Sequence, residues 1–486
     1  MMSTETIAAI ATARGEAALA IVRLSGPEAV QIATSCFRGA DLGNAASHTA
    51  HVGYIIDAEG HEVDQVVVVL FKAPRSVTGE NVVEISCHGG DFASQFILKT
   101  LVDHGARLAN PGEFTQRAFL NGKMDLTQAE AVADLIHASS SMAHRVSLNH
   151  IQGRYSEKLS ALRAELLELC AFIELELDFS EEDVDFADKG RLVTLLDQIS
   201  RLLNELLSSY QLGVLVRDGV RVVIGGRPNA GKSTLLNALA GRDRAIVSDI
   251  PGTTRDEIEA EVEIKGLRFR FVDTAGLREA RDVIEAEGVR RAKESIESAD
   301  LLLYVFDVTL GLDEEEKAWL RDIKERHDHL PVVLIANKSD QLAADHADTK
   351  KTGTKKTGTK EAETKEASVK KSSIQENQDA MLLSAESGRQ DAAVLEQLIE
   401  KMLVIVAKDL NQMEGSPVVM NQRHQSHLGN AFQAVTSAQQ AMAMDATGDT
   451  LALDLRIALH ELGHITGEIT NEDVLDQIFS RFCIGK

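Results

Sequence analysis

The apolar, β-branched run Val220-Arg221-Val222-Val223-Ile224 leads into Gly226-Arg227-Pro228-Asn229-Ala230-Gly231-Lys232-Ser233, and then into the helical pattern Thr234-Leu235-Leu236-Asn237-Ala238-Leu239-Ala240. Strand, glycine-rich turn and helix in that order call for a parallel α/β unit, because the turn's backbone N–H groups and the helix N-terminus converge on an anion. Asn229, Ala230, Gly231, Lys232, Ser233 and Thr234 form the expected phosphate loop. Lys232 would reach the β- and γ-phosphates, and the Ser233 hydroxyl would ligate Mg²⁺.

Three further signatures follow in order, each after a strand-like run. Asp273-Thr274-Ala275-Gly276 ends Phe269-Arg270-Phe271-Val272 and suits Mg²⁺ and γ-phosphate contacts. Asn337-Lys338-Ser339-Asp340 follows Val332-Val333-Leu334-Ile335, and the Asp340 carboxylate matches the N1–H and N2–H donors that guanine has and adenine lacks. Ser384-Ala385 would close over guanine O6. Phosphate, magnesium and base contacts at successive strand ends imply GTP as ligand.

How the γ-phosphate is cleaved is less direct. Leu277 stands where Ras-like enzymes carry a water-orienting glutamine, and leucine cannot orient water. The acidic stretch 278–285 offers carboxylates that would act through a bridging water, and its residues also fit a solvated helix start. Thr254, in the loop 248–256, is expected to complete the Mg²⁺ shell. Asn229 is placed to give an oxygen to a monovalent cation.

The chain has 486 residues, too many for one core, so two to four domains are expected. Residues 1–121 read as an α+β module, 122–216 as helical, 217–408 as the nucleotide domain and 409–486 as helical again. The helical domain is thus split by an inserted one. Its stripes are Leu159, Leu162, Leu166, Leu169 and Ile173, then Leu192, Leu195, Ile199, Leu202 and Leu206. Residues 341–380 are Lys/Thr-rich, nearly devoid of apolar side chains and expected to be disordered. A net charge of −24 argues against non-specific nucleic-acid binding through an overall positive field. Four dispersed cysteines, no secretory signal and no spanning apolar run predict a cytoplasmic, reduced protein without a membrane partner.

His460-Glu461-Leu462-Gly463-His464 matches the H-E-x-x-H zinc pattern, with Gly467 where a metzincin has its glycine. Thr470 occupies the place of the third histidine. Two histidines one turn apart on an amphipathic helix therefore read as packed or solvated rather than as a zinc centre.

The stretch 111–131, beginning Pro111-Gly112-Glu113-Phe114-Thr115-Gln116-Arg117, the loop Gly252-Thr253-Thr254-Arg255-Asp256 and the terminal Phe482-Cys483-Ile484-Gly485-Lys486 resemble the tRNA modification GTPase family MnmE, also called TrmE. The likeness covers the whole chain except the Lys/Thr-rich stretch. It implies a multidomain α/β architecture: an N-terminal α+β folate-binding-like domain, a discontinuous helical domain and an inserted Ras-like P-loop domain. It also implies 5,10-methylene- or 5-formyl-tetrahydrofolate held by Arg23, Glu84, Lys123 and Lys486. A K⁺ ion would be surrounded by Asn229, Ser248, Ile250 and Thr253, with Glu285 as the catalytic glutamate and Cys483 as a cysteine needed for modification. Implied partners are a second copy through the N-terminal domain, the flavoprotein GidA (MnmG) in a heterotetramer, and tRNA whose wobble uridine receives an aminomethyl or carboxymethylaminomethyl group at C5. A different class of function, a GTP-switched ribosome-assembly or RNA-binding factor, would have no use for a folate site.

Overall fold

The computed structural model describes residues 5–178, 189–241, 258–273, 295–341, 380–385, 392–406, 418–444 and 448–486. The chain folds into two compact units. The first comprises residues 1–137, 147–207 and 422–486, the second 138–146 and 208–421.

The first unit begins with a seven-stranded sheet of order β3-β4-β5-β6-β2-β1-β7. Its strands are β1 (Ile7–Ile10), β2 (Leu19–Ser25), β3 (Phe37–Arg38), β4 (Thr49–Ile56), β5 (Glu62–Phe71), β6 (Val82–His88) and β7 (Arg107–Leu108). β7 pairs parallel to β1, and the other pairings are antiparallel. Alternation in β5 sends Val66, Val68 and Leu70 inward and leaves Val67 exposed, as a period of two requires. The inward residues pack with Ile32 and Ala33 of α1 (Ala29–Ser35) and with Ile97 and Leu101 of α2 (Asp91–Asp103). Each such burial stabilises by about 1.5–3 kcal/mol.

Helices α3 (Glu113–Leu120), α4 (Leu126–His137), α5 (Ser141–Ile151), α6 (Arg154–Asp178) and α7 (Lys189–Asp218) follow. Leu159, Leu162, Leu166, Leu169 and Ile173 of α6 are all buried. In α7 the buried stripe is Leu192, Leu196, Ile199, Leu203 and Leu206, whereas Leu202 is exposed. The expected stripe used Leu195 and Leu202. Each belongs to a Leu-Leu pair, so the apolar pattern alone does not say which leucine faces inward.

The second unit carries a six-stranded sheet of order β13-β12-β11-β8-β10-β9. It contains β8 (Val220–Gly225), α8 (Lys232–Ala240), β9 (Ile258–Ile264), β10 (Leu267–Asp273), β11 (Leu301–Asp307), α9 (Glu314–Arg326), β12 (Val332–Asn337), β13 (Met381–Leu382) and α10 (Ala392–Val406). β9 is antiparallel to β10 and the remaining pairs are parallel. β8 and β11 are nearly continuous apolar runs, as strands covered on both faces must be. Met142, Ala143 and Val146, with Val216, join this sheet's core, which is why residues 138–146 and 208–216 group with the nucleotide domain.

The chain returns to the first unit through α11 (Gln422–Ala443), α12 (Gly448–Thr466) and α13 (Glu472–Phe479). Its two helical stretches are joined by Glu130 on α4 and Arg423 on α11. Arg423 Nε and Nη2 donate to the two Glu130 oxygens at 3.0 and 2.9 Å, and His424 Nε2 lies 2.6 Å from Glu130 Oε2. Arg423 Nη1 and Nη2 also donate to the His464 and Ile465 carbonyls, satisfying the end of α12. Burial by itself would raise the Glu130 carboxyl. The charges and hydrogen bonds of His424 and Arg423 outweigh it and hold the group at about 2.

Glu130→Gln, which leaves Arg423 without its counter-charge, is expected to cost about 3–5 kcal/mol in urea unfolding. In the wild type, the depressed pKa means that this stabilisation is fully present above the ordinary value of 4.5 and lost as pH falls toward about 2. A Glu130→Gln protein as stable as wild type at neutral pH would contradict this assignment.

Candidate functional site

The phosphate loop lies between β8 and α8. Gly226 has φ +141°, and a Cβ there would stand 2.0 Å from the Val305 carbonyl oxygen. Gly231 has φ +96°, and its Cβ would meet Asn337 Nδ2 at 2.0 Å. Both positions therefore require glycine. Asn229 is exposed, with φ +62°. Lys232 is buried and its Nζ donates to the Gly226 and Arg227 carbonyls at 3.1 Å each, so the ammonium is fixed over the loop it encloses. Ser233 and Thr234 are exposed on the first turn of α8, where a helix N-terminus attracts anions. Asp273 ends β10 and is registered against Ile224 of β8, one strand over from the loop.

Asn337, at the end of β12, is the node of the base side. Its Nδ2 donates to the Ala230 carbonyl at 2.8 Å, and its Oδ1 accepts from the Ala385 N–H at 2.8 Å. One buried amide therefore joins the phosphate loop, the Asn337-Lys338-Ser339-Asp340 turn and the Ser384-Ala385 segment. Ser339 N–H donates to the Leu383 carbonyl at 3.2 Å, a second link between those two segments. Lys338 Nζ pairs with Asp307 Oδ2 at 2.7 Å. Burial would raise Asp307, but Lys338 and Thr309 together hold its carboxyl below the usual range. Ser384 and Ala385 are buried, and Asp340 is exposed at the rim.

Two contributors escape the motifs. Arg227 ion-pairs with Asp313 and with Glu316 Oε1 at 3.1 Å, and Glu316 also accepts from Tyr304 Oη at 2.8 Å. Asp313 and Glu316 form the capping box of α9, so the loop is anchored to a helix start. Asp307 is discernible in the sequence only as the acidic end of the apolar run Leu301–Phe306. Ser248, Ile250, Thr253, Thr254, Thr274, Ala275, Gly276 and Glu285 lie outside the described residues, as do Leu277 and most of the Lys/Thr-rich stretch.

In the first unit, Arg23 on β2 faces Glu84 on β6, at 2.9 Å from Nε and 2.7 Å from Nη2, both to Oε1. Arg23 Nη1 donates to the Gly485 carbonyl at 3.4 Å, and its guanidinium lies 5.7 Å from the Phe114 ring centroid. Gly485 has φ +94°, and a Cβ there would stand 2.4 Å from the Ile10 carbonyl oxygen. Phe482 is buried against Leu126, Leu475 and Phe479, holding the chain end against the sheet while Cys483 is exposed. Lys486 N–H donates to the Cys483 carbonyl at 3.3 Å, and Lys123 Nζ donates to the Pro74 carbonyl at 3.2 Å. Arg23, Glu84 and the terminal residues thus come together, with Lys123 on the neighbouring turn beside Gly79. Burial pushes Cys36 and Cys170 up to about 11, away from thiolate chemistry.

A P-loop after a central parallel strand, joined by a buried asparagine to an N-K-x-D strand end, defines a P-loop GTPase. The chain belongs to the MnmE family: residues 126–483 match the MnmE helical domain, and residues 6–123 match the GTP-binding protein TrmE N-terminus. It is 57% identical over 486 residues to the tRNA modification GTPase MnmE of Salinibacter ruber, covering 100% of both chains. It is 43% identical over 484 residues to that of Cytophaga hutchinsonii, covering 99% of this chain and 98% of the other. Among solved structures, Aquifex aeolicus Era bound to GDP and AlF4⁻ shares 25% identity, over 44% of this chain and 66% of Era, with a TM-score of 0.27, too low to carry an argument.

Asn337→Ala removes two buried hydrogen bonds worth about 1–1.5 kcal/mol each. It is expected to weaken GDP binding by roughly 10- to 100-fold in a fluorescent-nucleotide titration. Unchanged affinity would show that the three segments hold their positions without this side chain.

Proposed function

We propose that this GTPase serves tRNA modification, hydrolysing GTP in a K⁺-dependent cycle coupled to C5 modification of the wobble uridine. The observation that carries the reading is the Asn337 node, which gives the phosphate and base ends of the site one shared support. The full-length match to tRNA modification GTPases supplies the biological context.

In the nucleotide site, Lys232 would meet the β- and γ-phosphates, Ser233 and Thr254 would hold Mg²⁺, and Asp273 and Gly276 would serve Mg²⁺ and the γ-phosphate. Asp340 would read guanine, and the Ser384-Ala385 segment would close over O6. Asn229, Ser248, Ile250 and Thr253 would hold K⁺, whose charge would serve in place of an arginine finger, and Glu285 would orient the attacking water. Leu277 leaves that last role unfilled at the usual position.

In the N-terminal site, Glu84 accepts from the amide and amine edge of the pterin, while Arg23, Lys123 and Lys486 supply cations for the glutamate tail. The pairing of Arg23 with Glu84 beside the chain terminus fits such a ligand, since both Arg23 nitrogens bond to Oε1 and the pterin edge can be met by Oε2. Tetrahydrofolate supplies the one-carbon unit when bound. Cys483, exposed where the other three cysteines are buried, stands next to that site. The working form is a homodimer assembled with the flavoprotein GidA and tRNA in the cytoplasm. No helix among the described residues is long and apolar enough to cross a membrane.

Steady-state GTP hydrolysis in matched KCl and NaCl tests this reading. Turnover should be strongly stimulated by K⁺, and Glu285→Ala should lower kcat by about 100-fold or more. Equal turnover in the two salts would exclude the cation mechanism.

A further inference from the structure

The H-E-x-x-H segment lies on α12, and along the chain it holds two histidines and no third. The fold supplies the third from another helix. His427 on α11 stacks on His464 with ring centroids 5.2 Å apart, and His460 meets His464 edge-on at 4.5 Å. Imidazoles sharing one tetrahedral zinc, with Zn–N of about 2.0–2.1 Å, have centroids roughly 5 Å apart. The two helices therefore already hold His464 at such a spacing from both His427 and His460.

One of the rings is also oriented from outside. Glu461 Oε2 accepts from His427 Nδ1 at 2.7 Å, leaving Nε2 as the lone-pair nitrogen. His464 is half-buried between the His427 and His460 rings, so its ring nitrogens lie beside both neighbours. A carboxylate behind an imidazole, as Glu461 stands behind His427, is the usual outer shell of a metal-bound histidine.

We propose that His427, His460 and His464 form a structural binding site for a divalent transition metal of the zinc type, with Glu461 positioning His427. The site is not a metalloprotease centre. In that chemistry the glutamate of the motif is free to activate water, whereas Glu461 is engaged by His427 and by Asn430 Nδ2 at 3.3 Å. Imidazole donors favour zinc and its neighbours over magnesium or calcium. His427 and Glu461 are a quarter or less exposed and His460 is exposed, so an ion has access from solvent. Ligation requires the rings to turn about their side-chain torsions. As they stand, the only His/Cys/Asp/Glu group with mutually close ligand atoms among the described residues is the exposed turn Asp57, Glu59 and His61. The ion would pin α11 to α12 close to where Arg423 caps the end of α12.

The test uses the full-length chain, stripped by chelator and free of nucleotide, titrated with Zn²⁺ against a chromophoric chelator and with Co²⁺ by visible absorption. One Zn²⁺ per chain and a tetrahedral Co²⁺ spectrum are expected. His427→Gln and His464→Gln should each weaken zinc binding at least about tenfold, and Glu461→Gln by roughly 10- to 100-fold. Zinc should raise the Tm of wild type and leave that of His464→Gln unchanged. Wild-type rates of GTP hydrolysis by the variants confirm that they fold, and His460→Gln, at an exposed position, serves should a more buried variant fail. No stoichiometric zinc on the wild type would overturn the proposal. So would zinc retained by the triple glutamine variant, or zinc lost instead with His61→Gln or Cys483→Ser.

Discussion

The buried Glu130 and Arg423 pair closes a domain whose two helical stretches are separated in sequence by the entire nucleotide unit. A carboxylate nearly sealed from solvent is costly unless it is paired and hydrogen-bonded. Here Arg423 grips both oxygens, His424 meets one of them, and the same guanidinium satisfies the last carbonyls of α12. Losing any one partner strands the others, so the chain is driven to bring residues 126–137 and 422–466 together. In the same unit, α13 is seated where Phe479 and Phe482 pack against Leu126 and Ala129. The terminal residues then reach Arg23 and Ile10 of the sheet.

A comparable economy governs the nucleotide unit. Three segments proposed to meet different parts of a nucleotide are tied by one side-chain amide, Asn337, which uses both its donor and its acceptor. Gly231 has no Cβ because that amide occupies the space a Cβ would need. Arg227 fastens the other side of the phosphate loop to the capping box of α9. Among the described residues, the phosphate and base ends of the site are therefore built on strand ends and helix starts. Preorganisation of this kind lets binding energy go to the phosphates and base rather than to ordering the protein.

Much of this was legible in the sequence because the chemistry of phosphate binding restricts residue types at fixed spacing. The β8 run, the glycines and Lys232 could be read directly, and so could the strand before Asn337. What stayed hidden depends on the partner across space. Asn337 reads as a base contact in the motif, yet its amide bonds to protein backbone on both sides. Arg227 occupies a variable position of the loop pattern, and its role appears only once α9 lies beside it. The choice between Leu195 and Leu196 in α7 needed a packed neighbour. His427 lies 33 residues before His460, at no motif spacing, so the third imidazole was out of reach of any reading along the chain. In the N-terminal site, by contrast, Arg23 and Glu84 were named by resemblance, and their pairing across β2 and β6 follows from the strand register.

Central to all of this is the proposal that Asp340, at the end of the Asn337 turn, holds the guanine base. Competition of GTP, ATP and XTP against a fluorescent guanine nucleotide, on wild type and on Asp340→Asn, tests it most directly. GTP alone should compete on wild type. On the variant, XTP should gain at the expense of GTP, because an amide complements a base bearing a carbonyl where guanine has its amine. ATP competing as well as GTP on the wild type, or a specificity unmoved by Asp340→Asn, would contradict it.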